Sequence, residues 1–483
     1  MKRYLVETMG CQMNVHDSRR IEEVLRAAGW VPTDEGALAD LIVFNTCSVR
    51  EKAEHKLMSA LGTVRPLASS ARGGPRDKNT PERHVVVAVA GCVAQQEGER
   101  LLTKAPFIDV IIGPDNIPEL PALVEAAREG APPIARTVFD LDDPRFLNAT
   151  PHPSGREVTS FVTTMKGCDE RCTFCIVPYT RGPERYRSAT EIVAEIRALA
   201  EGGVREVTLL GQTVNSWHEP GGDDPHDGRP SEFAALLRRI AAEVPELWRL
   251  RYTSPHPRHL TDELIRAHAE LPLLPRHVHL PVQSGSDRML KRMLRRYTRE
   301  HYLARIGALR EAVPGLTLST DLIVGFPGET DEDFAETLSL VREAAFVAAF
   351  VFKYSPRPYT PALKLGDDVP EAVKDARIQA VLAQVEVQQS AHLASLVGSE
   401  QEVLIEGKSP KGERYTGRTG RHEIVHVAAP EGVDPSGQLV RVQIESALKH
   451  SLLGRMEGAV DVALAPKRAS RRLPVVDAKG AAH

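Results

Sequence analysis

Short apolar segments alternate with helical segments in two separate blocks of this 483-residue chain. In the first block, strands are predicted at residues 3–10, 40–47, 84–92 and 109–114. In the second block, six more strands are predicted at residues 158–165, 206–211, 247–254, 277–282, 316–325 and 348–355. Strands that alternate with helices form parallel sheets, and ligands bind at the carboxyl ends of such strands. We therefore expect the α/β class, with an N-terminal open parallel α/β sheet and a central (β/α)6 partial TIM barrel.

The rest of the chain predicts a third, smaller domain. Beyond residue 393 about five short strands follow one another without helices, which is typical of a small antiparallel β-barrel of the OB type. Surface loops are expected at 66–83 and 221–230, where Gly, Pro and charged residues concentrate. The expected division is an N-terminal domain at 1–130, a linker at 131–153, a central domain at 154–390, a small barrel at 393–460 and a disordered tail at 461–483.

Composition excludes several classes of protein. No run approaches the roughly 18 apolar residues of a membrane span, and residues 1–14 lack the apolar core of a secretory signal. A net charge of -4 argues against a protein that coats nucleic acid, although local basic patches remain compatible with it. Six cysteines are too few for a disulfide scaffold of this length. We expect a cytoplasmic monomer with reduced cysteines and no membrane partner.

Three cysteines form a C-x3-C-x2-C pattern directly after the first strand of the central domain. Cys168, Cys172 and Cys175 can converge on one metal centre, since they share a single loop. Thiolates suit zinc or iron–sulfur clusters, and a structural zinc site requires four ligands. Three cysteines therefore favour an iron–sulfur cluster with one open position, where a small molecule can bind.

The other three cysteines occupy corresponding positions in the N-terminal domain. Cys11, Cys47 and Cys92 each lie just past the end of a different predicted strand. In an open parallel sheet those ends share one edge, so three thiols far apart in sequence would meet in space. The alternative is that they are ordinary buried cysteines that pack as small apolar side chains. Their matched positions favour a second cluster.

The run GCDERCTFCIVPYTRG at 167–182 resembles the signature of the radical S-adenosylmethionine (SAM) enzymes. The resemblance implies that Cys168, Cys172 and Cys175 hold a [4Fe-4S] cluster whose unique iron binds SAM. It also implies cofactor contacts at three places, namely Phe174 beside the third cysteine, Gly211 and Gln212 after the second strand, and Ile323 and Gly325 after the fifth. Without the resemblance, Gly211 and Gly325 are equally well explained as turn glycines.

Together the two sets of cysteines resemble the methylthiotransferases over nearly the whole chain. The matching stretches are residues 8–18, 45–56, 90–95 and 277–298, and the C-terminal region resembles the RNA-binding TRAM domain. The resemblance implies a second [4Fe-4S] cluster on Cys11, Cys47 and Cys92, all six cysteines as catalytic residues, and SAM as both radical source and methyl donor. Tyr186 and Trp217 depart from the usual pattern of the family and leave substrate contacts near them open.

The implied reaction is transfer of a methylthio group to carbon 2 of N(6)-isopentenyladenosine (dimethylallyladenosine) at position 37 of tRNA. Partners would be the tRNA anticodon loop and an electron donor such as flavodoxin or ferredoxin. Two alternative substrates are a threonylcarbamoyladenosine in tRNA and an aspartate of a ribosomal protein. A zinc- or cluster-binding RNA-binding protein without enzymatic activity is the third hypothesis.

Two basic runs give weaker and independent support for nucleic-acid binding. Residues 408–421 and 287–299 are rich in Lys and Arg, and Tyr415 lies within the first run. Such runs are typical of phosphate binding, although a solvated surface explains them as well. His277, His279 and Gln283, near the mouth of a barrel strand, are as compatible with packing as with substrate contact.

Overall fold

The computed structural model describes residues 2–48, 51–68, 85–139, 157–221, 231–409 and 412–456. The predicted 221–230 loop and 461–483 tail, and most of the 66–83 loop and the 131–153 linker, lie outside or largely outside these ranges. The described chain is mixed α/β, with two layered parallel systems and a closed barrel, which confirms the expected fold class. The expected domain boundaries stay predictions.

The N-terminal domain is a six-stranded parallel sheet in the order β2-β1-β3-β4-β5-β6. Its strands are β1 (Arg3–Met9), β2 (Val31–Pro32), β3 (Leu41–Thr46), β4 (Val86–Gly91), β5 (Val110–Ile112) and β6 (Ile134–Arg136). Its helices are α1 (Gln12–Ala27), α2 (Glu51–Val64), α3 (Cys92–Glu97), α4 (Arg100–Lys104) and α5 (Leu120–Arg128). β3 and β4 are buried along their whole length because apolar clusters cover both faces of the sheet. The strand order reverses between β1 and β3, which is where ligands bind in such sheets.

The central domain contains the six predicted strands as two parallel sheets. In chain order the strands are β7 (Thr159–Thr163), the hairpin β8 (Met165–Lys166) and β9 (Arg185–Tyr186), β10 (Glu206–Leu210), β11 (Arg249–Tyr252), β12 (His277–His279), β13 (Thr317–Val324) and β14 (Ala348–Lys353). The sheets run β11-β10-β7 and β12-β13-β14. The helices are α6 (Val177–Arg181), α7 (Ala189–Glu201), α8 (Phe233–Glu243), α9 (Asp262–Glu270), α10 (Asp287–Arg292), α11 (Arg299–Ala312) and α12 (Asp331–Ala344). Capping explains several helix starts, since Ser188 and Thr330 each form a capping box.

A 25-residue helix, α13 (Glu371–Ser395), leads into the C-terminal barrel. The barrel strands are β15 (Glu400–Lys408), β16 (Tyr415–Thr419), β17 (Ile424–Ala428), β18 (Leu439–Ala447) and β19 (Leu452–Met456), closed in the order β15-β16-β17-β19-β18. The sequence predicts only antiparallel pairs, but β17 and β19 pair in parallel. The strand that follows β17 in the chain, β18, pairs with β15 and β19 instead of with β17, so β19 is the neighbour of β17 in the barrel.

Two buried arginines attach the C-terminal barrel to the amino ends of the central strands. Arg251 pairs with Glu206 at 2.9 Å and donates to the carbonyl oxygens of Thr419 and Gly420 at 3.2 and 3.3 Å. Arg249 donates to the carbonyl oxygen of Arg418 at 2.7 Å. The loop after β16 therefore covers the end of the central barrel at which the strands begin.

Replacing Arg251 with methionine should loosen this attachment. The change leaves Glu206 buried with a weaker ion pair to Arg249, at 3.7 Å, and removes two hydrogen bonds to the loop. Loss of one partner of a buried ion pair costs about 3–5 kcal/mol. We expect a clearly lower thermal transition and faster proteolysis between α13 and β15. Arg238→Met, at a partly exposed ion pair on α8, is the matched control, and equal effects of the two changes would contradict this account.

Candidate active site

One cavity of about 690 Å³ lies where the three domains meet, and all six cysteines line it. Its wall includes residues of the N-terminal sheet edge, the interior of the central barrel and the loop after β16. We call Cys11, Cys47 and Cys92 the N-terminal triad, and Cys168, Cys172 and Cys175 the central triad. None of the six is in a disulfide. The structure thus brings both predicted sets of cysteines to a single space.

The N-terminal triad follows β1, β3 and β4, at the edge where the strand order reverses. Tight turns bring these strand ends together. A Cβ on Gly10, whose φ is +146°, would lie 2.4 Å from the Cβ of Cys47. A Cβ on Gly91, whose φ is +91°, would lie 2.4 Å from Oδ1 of Asn45. Only glycine fits at either position, and each directly precedes a cysteine of the triad.

Two buried asparagines fix the first two loops of this triad against each other. Asn14 Oδ1 accepts hydrogen bonds from the backbone N–H and the thiol of Cys11, both at 3.3 Å. Asn14 Nδ2 donates to Asn45 Oδ1 at 3.2 Å, and Asn45 Nδ2 donates to the Asn14 carbonyl oxygen at 2.8 Å. The two amides therefore fix the position of the first turn of α1 relative to the end of β3.

The central triad lies on a loop that the second barrel strand supports. The backbone N–H of Gly167 donates to Gln212 Oε1 at 2.5 Å, and the Cys168 thiol lies 3.1 Å from Thr213 Oγ1. Arg295 Nη1 donates to Cys172 Sγ at 3.3 Å from a fully buried position. The loop after β10 and the Arg295 guanidinium thus position two of the three sulfurs.

Burial and hydrogen bonding give the thiols different acidities. Burial raises the pKa of Cys175 to about 12, and it raises the pKa of Cys168 and Cys92 as well. A hydrogen bond from Cys47 lowers the pKa of Cys11 to about 6. Cys92, Cys168 and Cys175 are therefore poorly stabilised as free thiolates, which suits ligands that a metal centre deprotonates on binding.

The residues of the cavity fit the iron–sulfur clusters and SAM that the sequence predicts. Each triad offers three soft sulfur ligands and leaves a fourth position open, and an arginine accompanies each triad, Arg295 at one and Arg181 at the other. Gln212 Nε2 is buried beside the central loop and has no hydrogen-bond partner within the described ranges. Such an unpartnered donor fits a carboxylate acceptor of a bound amino acid moiety.

The structure divides the predicted SAM contacts into two groups. Phe174, Gly211 and Gln212 line the cavity. Ile323 and Gly325 do not line it, because Ile323 packs in a small apolar cluster with Phe326 and the Gly325 N–H donates to Glu329 Oε2 at 2.6 Å. All five stay predictions.

Arg181 and Arg295 line the cavity with the cysteines, but the sequence does not predict them as site residues. Both lie inside the motif stretches at 167–182 and 277–298, and nothing local in the sequence indicates which way they point. A cluster of Glu170, His256 and His259 is likewise not predicted from the sequence; its ligating atoms lie within 4.8 Å of one another, and Glu170 and His256 are buried. The guanidinium of Arg258, 3.6 Å from Glu170, opposes a cation there, so we interpret this cluster as an ion-pair network under the central loop.

The basic run at 287–299 has a mostly internal role. Arg288 pairs with Asp333, Arg292 donates to the Pro327 carbonyl oxygen, Arg295 to Cys172 and Arg299 to the Glu336 carbonyl oxygen. These four charges therefore have partners within the protein, whereas Lys291 and Arg296 of the same run are exposed. His277, His279 and Gln283 do line the cavity, and His277 stacks on His422 of the C-terminal barrel with ring centroids 5.9 Å apart.

Comparison with known families agrees with this architecture. Residues 162–341 match the Radical SAM superfamily, residues 3–113 match the Uncharacterized protein family UPF0004, and residues 394–456 match the TRAM domain. The fold and the central triad thus define a radical SAM protein with two accessory domains.

Close relatives identify the family more narrowly. The chain is 58% identical to the tRNA-2-methylthio-N(6)-dimethylallyladenosine synthase of Sorangium cellulosum, over 99% of this chain and 100% of that protein. It is 45% identical to the enzyme of the same name from Acidithiobacillus ferrooxidans, over 94% of this chain and 97% of that protein. The chain belongs to the tRNA-2-methylthio-N(6)-dimethylallyladenosine synthase family.

Among solved structures, the radical SAM methyltransferase TsrM from Kitasatospora setae has a similar fold. Its form with tryptophan substrate and a SAM analog aligns with a TM-score of 0.51 and 16% identity, over 75% of each chain. Its form with cobalamin and a [4Fe-4S] cluster aligns with a TM-score of 0.50.

Among the described helices, none combines the length and apolarity needed to cross a lipid bilayer.

The unequal thiol acidities predict unequal reactivity in iron-free protein. Iodoacetamide reacts with the thiolate, so Cys11 should be alkylated at neutral pH and Cys168 and Cys175 only in strongly alkaline solution. Peptide mass spectrometry after alkylation at a series of pH values measures this order. Equal rates for Cys11 and Cys175 across that series would show that the electrostatic environment described above is wrong.

Proposed function

We propose that this chain transfers a methylthio group to carbon 2 of N(6)-isopentenyladenosine at position 37 of tRNA, with two [4Fe-4S] clusters and SAM as cofactors. The observation that carries the proposal is that both cysteine triads line one cavity. A reaction that generates a radical at one centre and takes sulfur from another requires that both face the same substrate. The names of the two relatives specify the substrate.

The clusters and SAM supply reductive radical chemistry and sulfur, and the protein binds, orients and shields the reactants. Gln212 and Gly211 line the cavity beside the loop of the central triad, where they would hold the amino acid end of SAM. Arg295 offsets negative charge at Cys172. Cys47, Cys92 and Cys172 are buried, and the limited access of water to this side of the cavity would protect the reactants from unwanted reactions.

Aromatic side chains inside the cavity fit an uncharged adenine derivative. Phe350 and Phe352 on β14 line the cavity but remain 55% and 39% exposed, so they have apolar surface available for a ligand. His279 meets Phe350 edge to face with ring centroids 5.9 Å apart. These surfaces favour a dimethylallyl group over the charged threonylcarbamoyl group or an aspartate, since apolar surface stabilises a charged group poorly.

The remaining partners follow from the same proposal. The C-terminal barrel contributes Arg421 and His422 to the cavity wall, so we propose that this domain takes part in recognition of the tRNA. An unpaired anticodon loop presents its bases for such recognition. We propose flavodoxin or ferredoxin as electron donor, a monomeric enzyme and the cytoplasm as its location.

Nucleoside mass spectrometry of tRNA tests the substrate. Cells that lack this gene should lose 2-methylthio-N(6)-isopentenyladenosine and accumulate N(6)-isopentenyladenosine, and the wild-type gene should restore both nucleosides to their normal levels.

Substitution of single cysteines tests the roles of the two triads. Cys168→Ala should abolish SAM cleavage, whereas Cys47→Ala should retain SAM cleavage but stop sulfur insertion. An unchanged pair of nucleosides would direct attention to the threonylcarbamoyl nucleoside, and SAM cleavage by Cys168→Ala would refute the role of the central triad.

Iron content tests the number of clusters. Replacing the three cysteines of either triad with alanine should remove about half of the iron and acid-labile sulfide of anaerobically reconstituted protein, because each triad holds one cluster of equal size. Replacing all six should remove nearly all of it. A colourless protein with stoichiometric zinc would instead favour a binding protein without radical chemistry.

A further inference from the structure

One arginine physically joins the two triads. Arg181 is the last residue of α6, six positions after Cys175, but its side chain enters the N-terminal domain and is only 3% exposed. Its Nη2 donates to Asp17 Oδ2 at 2.6 Å. Asp17 is fully buried in α1, the helix that Cys11 caps. A residue of the central loop is thus held beside the N-terminal triad.

The other half of the Arg181 guanidinium lacks a counterpart to Asp17 in the described part of the chain. Among the residues that the structure describes, Nη1 has no hydrogen-bond partner of good geometry, although it is buried. The guanidinium interacts electrostatically with the thiols of Cys92 and Cys11. It also lines the shared cavity. A buried cationic N–H without an acceptor is costly, so the position suits an anionic sulfur centre.

We infer that Arg181 is a positioning residue that donates a charge-assisted hydrogen bond to the cluster on Cys11, Cys47 and Cys92 and raises its reduction potential. The inference rests on the proposed second cluster. Reduction adds negative charge to a cluster, so a nearby cation and a hydrogen bond to sulfur stabilise the reduced state. Asp17 orients the guanidinium, but its own carboxylate acts on the potential in the opposite direction.

The ion pair between Arg181 and Asp17 also distinguishes the N-terminal triad from the central triad. Arg295, at Cys172, belongs to the same domain as the cysteines that it contacts. Arg181 instead belongs to the central domain and Asp17 to the N-terminal domain, so the charge near the N-terminal triad depends on correct docking of the two domains. Only the docked arrangement gives the second cluster its positive neighbour.

The test uses the full chain with Cys168, Cys172 and Cys175 replaced by alanine, so that only the second cluster remains. Iron content is measured first, and a redox titration followed by electron paramagnetic resonance then gives the potential. Arg181→Gln should lower the equilibrium constant for reduction at least tenfold, which is about 59 mV for a one-electron couple. Asp17→Asn should shift the potential in the opposite direction, because the arginine then lacks its counter-charge.

Arg197→Gln serves as the control for a change in overall charge. This arginine lies on α7 and pairs with Glu243 at the surface, with 44% of its side chain exposed. It should leave the potential unchanged. General loosening of the domain contact would move both Arg181→Gln and Asp17→Asn in the same direction, so shifts of opposite sign identify electrostatic control.

Each remaining outcome decides the question. Shifts of the same sign, or no shift in a variant that retains its iron, would overturn the inference and leave the cluster proposal intact. If Arg181→Gln loses its iron, the direction of the Asp17→Asn shift decides alone. If the starting variant with Cys11, Cys47 and Cys92 intact binds no iron, the second cluster is absent and both proposals are wrong.

Discussion

Buried ion pairs between the first two domains determine how the active site is assembled. Asp17 pairs with Arg181, and Asp115 pairs with both Lys166 and Arg185. All three basic residues lie on the segment that carries the central triad, and both acids belong to the N-terminal domain. A buried ion pair adds little net stability because desolvation offsets attraction, but each partner is costly to leave alone. The pairs therefore specify one relative orientation of the two domains.

That orientation places the functional edges of two parallel systems against each other. In each domain the cysteines follow strand ends, where the backbone turns away from the sheet and leaves room for ligands. Facing edges turn two half-open sites into one cavity lined by all six cysteines. The C-terminal barrel covers the opposite end of the central barrel through Arg249 and Arg251.

Local periodicity was sufficient to predict much of this arrangement, because strands with apolar runs and the cysteines after them are local features. The short strands β2 and β6 have two and three residues, too few to produce a pattern. The sequence pattern does not predict helix α13, because its few buried positions include Lys374 and Arg377, and charged residues ordinarily indicate an exposed position. The pairing of Asp17 with Arg181 spans 164 positions and has no local signal. Likewise, the charges at 287–299 look the same whether they bind phosphate or pair internally.

The charges inside the cavity limit which part of an RNA can enter it. Burial lowers the pKa of His422 to about 3 and that of His277 well below its usual value, so both rings are neutral at physiological pH. Among the described residues of the wall, three of the four arginines are already paired with buried acids, Arg181 with Asp17, Arg251 with Glu206 and Arg421 with Glu423, and the fourth, Arg295, donates to Cys172. The interior therefore offers phosphate groups little uncompensated positive charge, while Phe350 offers a surface on which a base can stack. This interior fits the proposed function, in which a single unpaired adenosine enters the cavity and the RNA backbone stays outside.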